Sequence, residues 1–188
     1  MQETITTLKE ANVLQEGHFL LTSGRHSGQY LQCAKIFQDP QLSEKFCKQL
    51  ANIFQKDNVD TVIGPAIGAI IISYETSRQL GVKNIFTERD ANGKMCLRRG
   101  FNISKGERFV VVEDVITTGG SVREVIDVVK EAGGEVVGVG CIVDRTGGKI
   151  DFGFPFKAVV SVEVVSYEAN ECPLCKMGVS IEKPGSRK

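Results

Sequence analysis

The spacing of apolar positions changes several times along the chain, and each change predicts an element. Residues 3–15 set Ile5, Leu8 and Leu14 among polar residues, which predicts a short amphipathic helix. His18-Phe19-Leu20-Leu21 and Tyr30-Leu31 flank the break Ser23-Gly24-Arg25-His26-Ser27-Gly28, a hairpin-like pattern. Asp39-Pro40 reads as a helix start, with Asp at the N-cap and Pro in the first turn. Leu42, Phe46, Leu50, Ile53 and Phe54 then follow at helical spacing.

From Thr61 onward strands and helices alternate. Thr61-Val62-Ile63 is a strand ending at Gly64-Pro65, and residues 67–80 are helical with Gly81 suited to the C-terminal turn. Lys83 to Thr87 is the next strand. Residues 88–107 form a polar, glycine-bearing excursion with few signals of either element. Phe109 to Val112 is an unbroken apolar run, as expected of a central strand buried on both faces. Ser121 to Ala132 carries the stripe Val122, Val125, Ile126 and Val129, and Gly133-Gly134 end that helix. Val136 to Val143 and Ala158 to Val162 are further strands. This repetition predicts an α/β fold: a central, mostly parallel sheet flanked by helices. Such sheets bind ligands where loops leave the carboxyl ends of the strands.

Composition narrows the class. At roughly 150 residues per domain, 188 residues make one domain. Lysine plus arginine and aspartate plus glutamate are 23 each, a formal net charge of 0, which argues against a dedicated nucleic-acid binder. A hydrophobic fraction of 41% and a charged fraction of 24% belong to an ordinary folded domain. No apolar run approaches the ~18–20 residues that cross a bilayer, and no secretory signal is visible. A disulfide scaffold is not expected from the 6 cysteines, and a cytoplasmic location is.

The chemistry lies in Glu113-Asp114-Val115-Ile116-Thr117-Thr118-Gly119-Gly120-Ser121, between a buried strand and a helix. Glycines let the backbone fold into a nest of N–H groups, and the helix N-terminus adds partial positive charge. The loop is therefore expected to hold a phosphate, with hydroxyls of Thr117, Thr118 and Ser121 as extra donors. Carboxylates at 113 and 114 suit sugar hydroxyls instead, so the expected ligand is a ribose phosphate. A purely structural account makes Ser121-Val122-Arg123-Glu124 a capping box. That leaves two charges unexplained at the end of a buried strand. There is no G-x-x-x-x-G-K-[ST] loop. Gly138-Val139-Gly140 opens like a dinucleotide fingerprint, but Val143 stands where its third glycine belongs.

This acidic pair, two apolar residues and Thr-Thr-Gly-Gly-Ser resemble the phosphoribosyl-diphosphate motif of type I phosphoribosyltransferases. Ser23-Gly24-Arg25-His26-Ser27, Gly64-Pro65-Ala66, Glu88-Arg89 with Leu97-Arg98-Arg99-Gly100-Phe101, and Asp144-Arg145 extend the resemblance to the orotate-specific branch. So do Cys172-Pro173-Leu174-Cys175 and Lys183-Pro184-Gly185-Ser186-Arg187.

The resemblance implies transfer of a phosphoribosyl group from phosphoribosyl diphosphate to orotate, with magnesium held mainly through that substrate near Asp114. It implies that Glu113 and Asp114 hold ribose hydroxyls and residues 117–121 the 5′-phosphate, with Val115 and Ile116 completing the binding segment. Thr117 and Arg145 would touch orotate, and Arg89 and Lys94 with Asp114 would be catalytic. Residues 1–35 would form a small helix-and-hairpin subdomain on the base side. Residues 88–107 would be a mobile hood shared across a homodimer, and 165–188 a C-terminal tail. The loop is shorter than in longer members, and Ile67-Gly68 stands where many members carry a lysine. The pyrophosphate-facing cation stays open among Arg89, Lys94, Arg98 and Arg99.

Three further expectations follow from the residues. Cys172 and Cys175 make a single C-x-x-C, and a closed zinc site usually takes four ligands, so no metal is expected there unless two subunits each supply a pair. His18 and His26 are expected at the surface or in a turn, with His26 able to approach the substrate. A transferase for another base, or a non-catalytic sensor of phosphoribosyl diphosphate, are the competing functions.

Overall fold

In the central strand, residues alternate between two separate cores. The computed structural model describes residues 2–21 and 23–184. The strand is β6 (Arg108–Ile116), preceded by α1 (Gln2–Glu10), β1 (Leu14–Leu20), β2 (His26–Leu31), α2 (Pro40–Phe54), β3 (Thr61–Pro65), α3 (Ala69–Leu80), β4 (Lys83–Arg89) and β5 (Met95–Leu97). After it come α4 (Gly120–Glu131), β7 (Glu135–Asp144), β8 (Phe156–Ser161), β9 (Ser166–Tyr167) and the one-turn α5 (Pro173–Lys176). Val110 and Val112 face a core with Phe46, Leu50 and Phe54 of α2 and Ile72 of α3. Phe109 and Val111 face the opposite core, with Val122, Val125, Ile126 and Val129 of α4. A period of two in β6 thus feeds helices on both faces.

The main sheet has the order β5-β4-β3-β6-β7-β8. Strands β4, β3, β6, β7 and β8 run parallel, and only β5 is antiparallel to its neighbour. The carboxyl ends of β3, β4, β6 and β7 therefore open at one edge. A second sheet, β1-β2-β9, is antiparallel and joins the N-terminal hairpin to the tail. Gly138 and Gly140 of β7 are packing glycines: a Cβ on either would stand 2.7 Å from the Phe54 ring. That explains their spacing without any nucleotide.

Asp39 caps α2 as the sequence predicts, accepting from the backbone N–H groups of Gln41 and Leu42. Two expectations need correction. The first helix ends at Glu10, not at residue 15. Asn12 turns left-handed at φ 59°, and Leu14 already pairs with Leu31 in the hairpin. The 88–107 excursion is also more ordered than its polarity suggested. Asp90 accepts from the N–H groups of Asn92 and Lys94. The tight turn so formed lets β5 fold back on β4, with Met95 buried toward the α4-side core. Of the tail motif, Gly185, Ser186 and Arg187 lie outside the described residues.

Candidate active site

Where β6 ends, the chain turns from strand to helix in three residues. Gly119 takes φ 71° just before α4, and no side chain caps that helix. Ser121 sits inside the first turn, so the capping-box account fails. Gly119 is required twice over. Its φ favours glycine, and a Cβ there would stand 2.5 Å from Ile150 Cδ1 and 2.7 Å from Phe152 Cε1. The loop carrying Ile150 and Phe152 is held by Arg123, which donates to the Asp151 carbonyl at 2.6 Å and lies over the Phe152 ring. Glu113, Val115 and residues 116–122 line a concavity of about 80 Å³. Thr117, Thr118 and Gly120 are exposed there. Ile116 buries its side chain in the α4-side core, so its share of the cradle is backbone. Unpaired N–H groups at a helix start and three hydroxyls make a small anion site.

Glu113 and Asp114 stand at the mouth of this cradle, half-buried. Burial, then the neighbouring Asp114 carboxylate, push Glu113 up to about 8. Burial likewise raises Asp114. Neither forms an ion pair among the described residues. Opposite them is the turn 66–68 after β3. A Cβ on Gly68 would lie 3.7 Å from Asp114 Oδ2 and 3.8 Å from Glu113 Oε1. The composition of that turn gave no warning of this closeness, because it carries no charge.

Arg145 follows β7 at the same edge. Its backbone N–H donates to the Ile116 carbonyl at 2.9 Å, which seats it beside the cradle. Asp144 does not pair with it. That buried carboxylate accepts from Thr146 N and Oγ1, Gly148 N and Ser161 Oγ. The Nε of Arg145 is buried without a hydrogen-bond partner among the described residues. Burial lowers its pKa, and the Cys33 thiol and Tyr30 phenol on the N-terminal side push the other way. Tyr30 and Cys33 were not singled out from the sequence; they reach this corner only because the hairpin folds over the sheet edge.

Of the cations in residues 88–107, Arg89 forks onto Glu124 of α4 at 2.5 and 3.0 Å. Arg99 forks onto Glu88 at 2.6 and 2.8 Å. Lys94 and Arg98 are exposed. Arg89 thus leans on the N-terminal half of the helix that follows the loop.

The phosphoribosyl transferase domain family matches residues 34–173. An orotate phosphoribosyltransferase of Caldanaerobacter subterraneus subsp. tengcongensis is 58% identical over 187 residues, covering 100% of this chain and 98% of that one. This chain belongs to the orotate phosphoribosyltransferase family. A second family member, from Thermotoga maritima, is 50% identical over 180 residues, 96% of each chain. Among solved structures, the orotate phosphoribosyltransferase of Aeropyrum pernix superposes with a TM-score of 0.72 at 25% identity, covering 84% of this chain and 93% of that one. An adenine phosphoribosyltransferase of Thermoanaerobacter pseudethanolicus shares the fold, with a TM-score of 0.62 at 15% identity over 71% of this chain and 88% of that one.

Proposed function

We infer that the chain transfers the phosphoribosyl group of phosphoribosyl diphosphate to orotate, releasing pyrophosphate and giving orotidine monophosphate for pyrimidine synthesis. One observation carries the choice of base: a half-buried arginine, its Nε buried and without a partner among the described residues, stands beside the phosphate cradle. A base bearing a carboxylate gives that guanidinium a two-pronged acceptor, and a base without one leaves it buried and unpaired.

The remaining roles follow from position. Residues 117–121 hold the 5′-phosphate, with Val115 and Ile116 shaping the approach. Glu113 and Asp114 accept from the ribose hydroxyls, and Thr117 reaches toward the base. Departure of pyrophosphate leaves an electron-poor, oxocarbenium-like ribose, so the chain's work is charge stabilisation and exclusion of water. Arg89 and Lys94 of the hood meet the leaving group's charge. Magnesium fits this donor set. Two hard carboxylates lack a cationic partner among the described residues and burial raises the pKa of both, and this ion usually takes one or two carboxylates plus substrate oxygens. When bound, it neutralises charge on the diphosphate.

A homodimer completes the picture. Ile67, Ile71 and Tyr74 are 86%, 48% and 60% exposed and follow one another at helical spacing along the 66–68 turn and α3. This apolar stripe begins at the turn facing the carboxylates, which supports a second copy docking there as the route by which a partner's 88–107 segment would reach this site. Among the described residues no helix is long and apolar enough to cross a membrane. The test is turnover of the purified protein with phosphoribosyl diphosphate, magnesium and a panel of bases. Loss of orotate absorbance with no reaction of uracil or adenine is expected, and preference for another base would overturn the assignment.

A further inference from the structure

Two histidines and two cysteines meet at the seam between the N-terminal hairpin and the C-terminal tail, apart from the phosphate cradle. His18 lies in β1 and His26 opens β2, while Cys172 precedes α5 and Cys175 lies within it. The expectation that both histidines sit at the surface or in a turn is wrong. His18 is 3% exposed and His26 9%, both in strands. A second pair of ligand-type side chains stands beside the C-x-x-C within the same chain. Some 150 residues of sequence separate the pairs, so no local motif announces them.

The spacing is that of a coordination shell. His18 Nε2 lies 3.0 Å from His26 Nδ1, 3.5 Å from Cys172 Sγ and 3.7 Å from Cys175 Sγ. Cys175 Sγ lies 3.2 Å from His26 Nδ1, and all four atoms fall within 4.8 Å of one another. A tetrahedron built on zinc–nitrogen bonds of ~2.0–2.1 Å and zinc–sulfur bonds of ~2.3 Å has edges of ~3.3–3.8 Å. The tautomer is also set. His18 Nδ1 lies 2.8 Å from the Val179 carbonyl oxygen, which can only accept. Nδ1 therefore carries the proton, and Nε2 turns its lone pair toward the other three atoms, as outer-shell carbonyls orient metal-bound imidazoles. Three of the four residues are buried, and Cys175 is exposed, giving an ion a way in.

We propose that His18 Nε2, His26 Nδ1, Cys172 Sγ and Cys175 Sγ bind one zinc ion, a closed structural site that staples the tail to the hairpin. Two imidazoles and two thiolates suit zinc by softness and geometry, and four protein ligands leave no position for chemistry. The seam it closes is otherwise joined by hydrogen bonds, Leu20 N to Glu182 O and Glu182 N to His18 O among them. Three of the ligands, His18, His26 and Cys175, fall outside the stretch matched by the phosphoribosyl transferase domain family, so the staple is an addition to that domain. Binding expels the thiol protons, and the bonds formed belong only to the folded chain, so zinc and stability are linked.

The experiment is elemental analysis of protein purified reduced and without a histidine tag. One zinc per chain is expected, retained in Cys96→Ser and lost in Cys175→Ser and His26→Ala. A chelator should lower the melting temperature of the parent and leave that of Cys175→Ser unchanged. If the variants fail to fold, the parent alone decides. Reloading it with cobalt should give the intense ligand-field bands of a tetrahedral site together with thiolate charge transfer. Zinc far below one per chain with no such cobalt spectrum overturns the proposal. So does a Cys172–Cys175 disulfide in protein kept reduced, or iron in place of zinc. A chain that holds zinc but transfers nothing to orotate would leave this inference standing and sink only the proposed activity.

Discussion

Arg145 donates its backbone N–H to the carbonyl of Ile116 at 2.9 Å, so the end of one strand is pinned to the entrance of the phosphate cradle on the next. The same residue leaves its Nε buried and unpartnered. A fixed backbone with an unspent guanidinium is a binding group awaiting an anion, since burying a charged donor without a partner is costly.

Arg145→Ala should therefore raise the orotate Michaelis constant by ~10–100-fold and hardly change that for phosphoribosyl diphosphate, a charge-assisted bond being worth about 1.5–3 kcal/mol. Arg145→Lys should recover only part, because lysine keeps the charge and loses the fork. Steady-state kinetics with each substrate varied in turn checks this. An unchanged orotate constant would reopen which base the enzyme uses.

The acidic pair gives a pH signature in the ligand-free chain. Glu113 titrates near 8 when folded, against an ordinary value of 4.5. A carboxyl whose pKa is raised by folding adds stability that is fully present below its unfolded value and is lost as pH rises through the folded one. Above about pH 8, Glu113→Gln should thus melt higher than the parent, and the gap should close toward pH 4.5. Each kcal/mol corresponds to roughly 2–4 °C in a chain of this size. Comparing the two proteins cancels the carboxylates that run the other way, such as Glu75 and Glu88, whose arginine partners lower them. Melts recorded across this range decide it, and an offset constant with pH would assign the variant's effect to packing.

The two glycines of the cradle should separate fold from binding. Gly119→Ala forces a side chain into φ 71° and onto Ile150 at 2.5 Å. A loss of ~1–3 kcal/mol is expected. At Gly120 the nearest atom to an added Cβ is Thr118 Oγ1 at 3.9 Å, so alanine fits. Gly120→Ala should melt like the parent and still bind phosphoribosyl diphosphate more weakly, because the methyl enters space the phosphate needs. Calorimetric titration alongside thermal melts reads both effects; equal melting temperatures for the two variants would contradict the geometry.

The sheet and the cradle were legible because their signals are local. Phe109 to Val112 has the apolar continuity of a strand buried on both faces, and the glycines and hydroxyls of 117–121 follow it directly. What the sequence concealed depends on contacts distant along the chain. Gly68 meets Asp114, Tyr30 and Cys33 come close enough to act electrostatically on Arg145, and His18 and His26 meet Cys172 and Cys175 only after folding. Leu14 misled for another reason. It continues the apolar spacing of α1, but the left-handed Asn12 breaks the helix before reaching it.

The hood yields the last test. Arg89 forks onto Glu124 in an exposed pair, worth only ~0–1 kcal/mol to the fold. The double variant Arg89→Ala, Lys94→Ala should accordingly melt like the parent while its turnover falls. Asp114→Asn should also fold, with turnover reduced by ~10–100-fold for loss of a charged hydrogen-bonding group. If the exposed stripe of α3 is the proposed dimer interface, Tyr74→Glu should shift the protein toward monomer in sedimentation and lose activity with it. If each hood serves the partner's site, a hybrid of the hood variant and Asp114→Asn contains one site with an intact hood and an intact carboxylate. Mixing the two should then restore activity that neither shows alone. If each hood serves its own site, every site in the hybrid carries one defect and nothing is recovered. Activity after subunit exchange, verified by mass spectrometry of the mixed dimer, separates the two arrangements.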